Sequence, residues 1–404
     1  MLSYVEARKK VIEVLSSKRG IVLVERVALV EALGRALAEE VAADRDYPPF
    51  NRSTRDGYAL RSDDARSLPV RLRVAAEIRA GDVFTGQLVA GDCVSIMTGA
   101  AVPADADAVV MLEHVKREGE SIVISQAVER GQNIVPRGSE SKAGQVLLRA
   151  GVRLGYAELA LLAQVGRAEV SVARRSRVAI LSTGNEVVEI NEPPGPFEIR
   201  NSNTVSLAAQ VALAGGEAVP LRSARDETSA LRAQIERGLQ EDVLVLSGGV
   251  SAGKYDLVKS VLRELGAEFF FDAVAIRPGR PTVFGICRGK PVFGLPGNPV
   301  STMVTFELFV VPALDILSGA APRALPMFKA QLAASVRQKA RLSHFLPAVV
   351  EWNTGEPVAR ELSWQGSGDI VALAQANCFL VVPSDRLQCS AGEWVNVLPR
   401  RGAL

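Results

Sequence analysis

The stretch that most constrains the fold runs from Asp242 to Gly266, where a short buried-strand pattern passes through a glycine-rich turn into a helical stripe. Val243-Leu-Val-Leu246 is a compact apolar run rich in β-branched residues, as expected of a strand covered on both faces. Leu257, Val258, Val261, Leu262 and Leu265 then recur at helical spacing, and Gly266 supplies a stop. Between them lies Ser247-Gly-Gly-Val-Ser251-Ala-Gly253-Lys254-Tyr255-Asp256. A glycine turn between a strand and a helix gathers backbone amides and a helix N-terminus around one point, which suits an anion.

The same unit recurs around it. Val178–Leu181 is strand-like and ends in Ser182-Thr-Gly-Asn-Glu186; Asn201 to Asn203 can cap a helix that runs to Ala214 and stops at Gly215-Gly216. A strand at Glu217–Leu221, a helix at Thr228–Leu239, strands at Phe269–Ile276, Thr282–Ile286 and Pro291–Leu295, and a helix at Val300–Leu317 complete the series. Alternation of this kind predicts a central three-layer α/β domain with a parallel sheet over residues 173–322. Ligands of such sheets gather at the carboxyl ends of the strands, which brings Glu186, Asp226 and Asp256 toward one rim.

Outside this region the texture changes. Residues 3–40 read as helical, with apolar positions from Val5 to Leu37, and Tyr47-Pro-Pro-Phe50 interrupts them. Residues 47–135 alternate in short runs with Gly-Asp turns, a small β domain set between residues 1–46 and 136–172 of a discontinuous N-terminal domain. Residues 323–404 are strand-like again and are expected to close a C-terminal β-barrel.

Composition narrows the function. A net charge of +2 over 404 residues gives no broad basic field, so neither nucleic acid nor an anionic membrane is an expected partner. The apolar runs read as too short to span a bilayer and the first residues as amphipathic helix, so a cytoplasmic protein is expected. Cys93, Cys287, Cys378 and Cys389 form no paired spacing, which argues for reduced, buried thiols. His114 and His344 are the only histidines, which restricts histidine-based metal sites and catalytic triads.

The central turn supports three chemistries. Gly249-Val-Ser251-Ala-Gly253 has the form of a nucleophile elbow, but His344 is the sole histidine after it and sits in the barrel segment. Gly248 to Lys254 has the spacing of a phosphate loop, but Tyr255 stands where a short hydroxyl should hold magnesium. Glu186, Asp226 and Asp256 could instead ligate a hard cation such as Mg²⁺, with Arg277 and Arg280 pairing an oxyanion.

Several ordered motifs then resemble one family. Pro48-Pro-Phe-Asn-Arg-Ser53 with Asp56-Gly-Tyr-Ala59, Met97-Thr-Gly-Ala100, Ser182-Thr-Gly-Asn-Glu186, Arg200-Asn-Ser-Asn203, Ser247-Gly-Gly-Val-Ser251, Arg277-Pro-Gly-Arg-Pro281 and Gly294-Leu-Pro-Gly-Asn-Pro-Val-Ser301 are similar to those of the MoeA family, molybdopterin molybdenumtransferases related to the E domain of gephyrin. The resemblance covers nearly the whole chain and implies a homodimer of four-domain subunits. It implies insertion of molybdate into adenylylated molybdopterin with release of AMP, in the presence of Mg²⁺, after an upstream molybdopterin adenylyltransferase. By this resemblance Asp56, Thr98, Glu186 and Asp256 act in catalysis, with Asp56 and Thr98 supplied by the partner subunit. Glu186, Asp226 and Asp256 hold metal, while Ser182, Gly184, Ser247, Gly248, Gly249, Arg277, Arg280, Pro296, Asn298 and Ser367 hold the substrate. Asn185, Glu140, the two arginines in positions often held by lysine, and the lack of a familiar arginine near Phe345-Leu-Pro347 depart from the pattern. A non-catalytic molybdopterin-binding scaffold of the same fold is the alternative.

Overall fold

The computed structural model describes residues 1–18, 20–249, 257–338, 341–352 and 355–403. These form two compact units: residues 1–38, 150–155 and 170–404 in one, residues 39–149 and 156–169 in the other.

The smaller unit is built on a six-stranded sheet of β1 (Gly57–Leu60), β2 (Val70–Ile78), β3 (Asp92–Ile96), β4 (Ala108–Met111), β5 (Val115–Glu118) and β6 (Ser121–Ile124), in the order β4-β1-β3-β2-β6-β5. Its two faces are both apolar: Tyr58, Leu60, Leu72 and Ile122 pack on one side, Ala59, Ile78, Val94 and Ile96 on the other. The unit also contains a helix, α2 (Tyr156–Gln164).

The larger unit carries the α/β sheet. Its strands are β7 (Arg177–Ser182), β8 (Glu217–Pro220), β9 (Val243–Ser247), β10 (Glu268–Phe271), β12 (Val283–Cys287) and β13 (Lys290–Leu295), in the order β8-β7-β9-β13-β12-β10; β11 (Ile276–Arg277) lies outside this sheet. Alternate residues serve two cores. Val178, Ile180, Val243 and Val245 face α1 (Tyr4–Ser17), α3 (Ser202–Ala214) and the Pro299–Leu317 helix, whereas Ala179, Leu181, Leu244 and Leu246 face α4 (Thr228–Gly238) and α5 (Leu257–Glu264). This is the three-layer arrangement, and it explains why these strands are apolar throughout instead of alternating. The α3 ends follow the sequence: the Asn201 side chain accepts from the Thr204 amide, and Gly215 terminates the helix at φ 94°.

The sheet is mixed, which corrects the expectation of a wholly parallel one. β8, β7, β9 and β13 run parallel, but β12 pairs antiparallel with β13, and β10 antiparallel with β12. The cause is local. Arg288 and Gly289 take φ values of 48° and 78°, and two successive positive-φ residues close a tight hairpin between β12 and β13.

The N-terminal helix is also shorter than its apolar spacing suggested. α1 stops at Ser17; Val24–Ala28 is a strand and Leu29–Ala32 a single 3-10 turn. Gly20 breaks the helix, and the β-branched Ile21, Val22, Val24 and Val27 favour extended backbone. Ser3 and Glu6 form a reciprocal capping box that fixes the start of α1.

Beyond the sheet, β15 (Ser343–Trp352), β16 (Pro357–Glu361), β14 (Phe328–Leu332), β18 (Trp394–Pro399) and β17 (Cys378–Val382) follow one another around a closed five-stranded barrel, β17 pairing back onto β15. The expected barrel is therefore present. A short helix, α8 (Ile370–Gln375), precedes β17.

Among the described residues one helical segment is long and apolar enough to cross a membrane by length and composition: Pro299–Leu317, of mean hydropathy 1.7. It comprises α6 (Pro299–Thr305), a π-helical segment (Phe306–Val310) and α7 (Val311–Leu317). The sequence reading that no run reaches this length is corrected. The segment is apolar because 89% of it is buried in the main core. Its two acids are paired: Glu307 with Arg401, and the fully buried Asp315 with both Arg153 and Arg323.

Candidate active site

The carboxyl ends of β7, β9 and β13 open into a cleft of about 650 Å³. It is lined by Thr183, Gly184, Glu186, Asn203, Asp226, Ser247, Gly248, Gly249, Pro296 and Asn298, among others, with Gly368 and Ile370 at one edge.

The floor is held by side-chain bonds that run from strand to strand. The Ser182 hydroxyl is 3.0 Å from Asn201 Oδ1 and 2.9 Å from Thr204 Oγ1, so it is occupied within the protein. Asn201 Nδ2 donates to Ser223 Oγ, and that hydroxyl donates to Glu189 Oε1. Asn203, near the start of α3, uses Nδ2 to reach both Ser247 Oγ at 2.8 Å and the Gly297 carbonyl at 2.7 Å. Ser247 passes its own proton toward the Pro296 carbonyl. These contacts fix three strand ends against one another.

The turn after β9 approaches its neighbour closely. Gly248 and Gly249 take φ values of 93° and 64°. A Cβ on Gly248 would lie 2.5 Å from the Thr183 carbonyl oxygen, and one on Gly249 would lie 2.6 Å from Val258 Cγ2. Only glycine satisfies both the backbone and the space. The Gly248 amide donates back to the Leu295 carbonyl, tying this turn to the end of β13.

Among the described residues, two buried polar atoms in the cleft have no partner. Thr183 Oγ1 and Asn203 Oδ1 are both inaccessible and form no hydrogen bond. Such atoms are uncommon in folded proteins and costly unless something else completes them.

Two carboxylates stand at the rim. Burial and then the negative charge of Glu186 hold the Asp226 carboxyl above its ordinary range. Asn185 Oδ1 accepts from the Asp226 amide at 3.0 Å, so the residue that departs from the family pattern helps to shape this loop. Neighbouring acids that resist ionising together are relieved by a cation. Among the described residues no group of three His, Cys, Asp or Glu residues forms a metal shell. Asp256, the third acid of the expected set, lies outside the described residues, as do Ser251, Lys254 and Tyr255.

The structure therefore gathers Ser182, Gly184, Glu186, Asp226, Ser247, Gly248, Gly249, Pro296 and Asn298 around one cleft. Ser367 joins its edge: its hydroxyl accepts from Asn298 Nδ2 at 2.7 Å, and its carbonyl accepts from the Val300 amide. Arg277 and Arg280 are exposed and do not line it, although the adjoining Pro281 does. Among the described residues neither arginine has a carboxylate partner. Arg277 pairs through its backbone strand with the barrel at His344, where burial and then the arginine charge lower the imidazole pKa. Asp56 and Thr98 belong to the smaller unit. There the Thr98 amide donates to Asp56 Oδ1 at 2.6 Å and lowers that carboxyl's pKa.

Sequence reading missed Thr183 and Asn203 as cleft residues. Both stood inside quoted motifs, but nothing in the sequence separates the committed hydroxyl of Ser182 from the uncommitted one of Thr183.

A three-layer α/β sheet with a strand-end cleft that joins glycine turns, unsatisfied polar atoms and adjacent acids defines an α/β protein with a polar strand-end cleft. Comparison with known proteins narrows the class. Residues 2–166 match the MoeA N-terminal region (domain I and II), residues 179–316 the probable molybdopterin binding domain, and residues 329–399 the MoeA C-terminal region (domain IV). A molybdopterin molybdenumtransferase of Bacillus subtilis (strain 168) is 35% identical over 93% of this chain and 89% of its own. One from Staphylococcus aureus (strain Mu50) is 32% identical over 92% and 90%. A crystal structure of a molybdopterin biosynthesis MoeA protein from Pyrococcus horikoshii OT3 is 32% identical, covers 99% of this chain and 100% of its own, and superposes with a TM-score of 0.80. The chain belongs to the MoeA family of enzymes.

Proposed function

We propose that this enzyme acts in molybdenum cofactor biosynthesis by inserting molybdate into adenylylated molybdopterin, with release of AMP and with Mg²⁺ as the assisting cation. The observation that carries this reading is the cleft at residues 182–299: adjacent acids and a glycine turn occupy one rim within the segment that matches a molybdopterin-binding domain.

The residues present fit a hard cation. Glu186 and Asp226 offer oxygen donors, with burial and then the Glu186 charge raising the Asp226 pKa, and Asp256 is the third proposed ligand. Bound Mg²⁺ would supply neutralisation of the charge that develops on phosphate oxygens as AMP departs. Gly248 and Gly249 keep the turn free of side chains, so the backbone itself can approach an anionic group. Arg277 and Arg280 present planar donors suited to molybdate, a tetrahedral dianion. Asn298 and Ser367 brace the opposite edge through their mutual hydrogen bond. Asp56 and Thr98, whose short contact preorganises a carboxylate, would be contributed by the partner subunit. A homodimer in the cytoplasm, supplied by a molybdopterin adenylyltransferase, completes the proposal.

The test is to incubate the purified protein with adenylylated molybdopterin, Mg²⁺ and molybdate, and to follow AMP. Release that depends on molybdate supports the assignment. Folded protein that binds molybdopterin but yields no AMP favours the scaffold alternative.

A further inference from the structure

We propose that Thr183 is a substrate-contacting residue: its hydroxyl, with the side-chain oxygen of Asn203, binds the polar edge of an amino-substituted heterocycle in the cleft. This rests on the cleft being the molybdopterin-nucleotide site.

Thr183 is only 5% exposed and lines the cleft, yet among the described residues Oγ1 has no hydrogen-bond partner. Its position is not loose. The Thr183 amide donates to the Ser247 carbonyl at 2.9 Å, and its backbone bridges to Ala224, so both neighbouring strand ends hold it. Of the turn that follows β9, Gly248 and Gly249 face the hydroxyl and carry no side chain that could satisfy it. A Cβ on Gly248 would come within 3.1 Å of Oγ1, and one on Gly249 within 2.8 Å. A threonine serving only as packing could be valine, which has the same shape and no desolvated oxygen.

Asn203 gives independent evidence and fixes the polarity. The Gly297 carbonyl can only accept, so Nδ2 must point toward it, and the same nitrogen reaches Ser247. That orientation leaves Oδ1 buried, unpaired and able only to accept. A phosphate or molybdate oxygen against it would set two acceptors face to face. The anionic part of the ligand is thereby steered away from Asn203, and an N–H donor is selected there. Thr183 Oγ1 can donate or accept, so the pair matches a ring edge that carries an N–H donor beside an acceptor nitrogen or oxygen. Adenine and pterin both present such an edge.

The experiment compares Thr183→Val and Thr183→Ser with the parent by calorimetric titration of two probes, AMP and molybdopterin, alongside thermal unfolding. Thr183→Val is expected to unfold at or above the parental temperature, because no protein hydrogen bond is lost. It should bind one probe about three- to tenfold more weakly, the loss of one neutral hydrogen bond. Thr183→Ser should retain parental affinity. Weaker AMP binding places adenine against Thr183; weaker molybdopterin binding places the pterin there. Unchanged affinity of Thr183→Val for both probes overturns the inference and leaves the assigned reaction standing. A Thr183→Val protein that unfolds earlier than the parent also overturns it, since the hydroxyl then has a structural role. A parent that binds neither probe overturns the assigned function and this inference together.

Discussion

Two regions of the larger unit gather charged and polar side chains, and they do so in opposite ways. Around Asp315 every demand is met. The carboxylate is fully buried, and both oxygens are taken by Arg153 at 2.8 Å, by the Arg323 guanidinium and by the Arg323 amide at 2.9 Å. Arg323 spends a further donor on the Ala214 carbonyl, and Arg8 crosses to Leu308 in the π-helical segment. In the strand-end cleft the demands are left open. Thr183 and Asn203 each present a buried oxygen with no partner among the described residues, and Asp226 is held close to an acid of the same sign. A satisfied cluster contributes to the fold, whereas an unsatisfied one is complete only when something binds.

That contrast can be broken from either side. The largest effect is expected at Asp315. Asp315→Ala leaves Arg153 and Arg323 without their carboxylate and should cost about 3 kcal/mol of stability, the lower end for a broken buried pair because both arginines are partly exposed. Urea unfolding monitored by circular dichroism measures it, and a loss within experimental error would show that the pair is idle. Next comes Gly248→Ala, which sets a methyl group against the Thr183 carbonyl at a positive φ. A cost of about 1–3 kcal/mol is expected from backbone strain, together with weaker ligand binding. Unfolding and titration of the same sample separate the two.

The smallest effect carries the opposite sign. Asp226 has a raised pKa in the folded protein, caused first by burial and then by Glu186. The folded state thus holds its proton more tightly than the unfolded chain does, and this acid lowers stability as pH rises from about 4, the ordinary aspartate value, through the folded value. Asp226→Asn should therefore melt at the parental temperature or slightly above it at pH 7. The difference should vanish below pH 4, while Mg²⁺ no longer stabilises the variant. A variant less stable than the parent at pH 7 would mean that Asp226 is paired and not repelled.

Much of this was legible in the residues. β-branched runs alternating with helical stripes defined the three layers, Asn201 to Asn203 and Gly215-Gly216 bracketed α3, and glycine after β9 marked the strand-end turn. Legibility failed where the answer depended on distant partners. Apolar strands do not state their direction, and Arg288-Gly289 is not the asparagine-glycine signature that would have announced a hairpin. Asp315 sits in a run that reads simply as helix, and only Arg153 and Arg323, far away or beyond the helix end, make its burial possible. Ser182 and Thr183 are adjacent hydroxyls of the same motif. Which one is free is decided by Asn201 and Thr204, which close on Ser182 and leave Thr183 facing glycine.

The most direct test concerns Glu186, the exposed acid that acts on Asp226 across the cleft rim. Molybdate-dependent AMP release from adenylylated molybdopterin should be followed for the parent and for Glu186→Gln at saturating Mg²⁺, with unfolding curves for both. The expected result is a variant as stable as the parent whose AMP release falls by about a hundredfold or more, the loss typical of a group that stabilises developing charge. Parental AMP release by Glu186→Gln would contradict the assignment of this cleft as the reaction site.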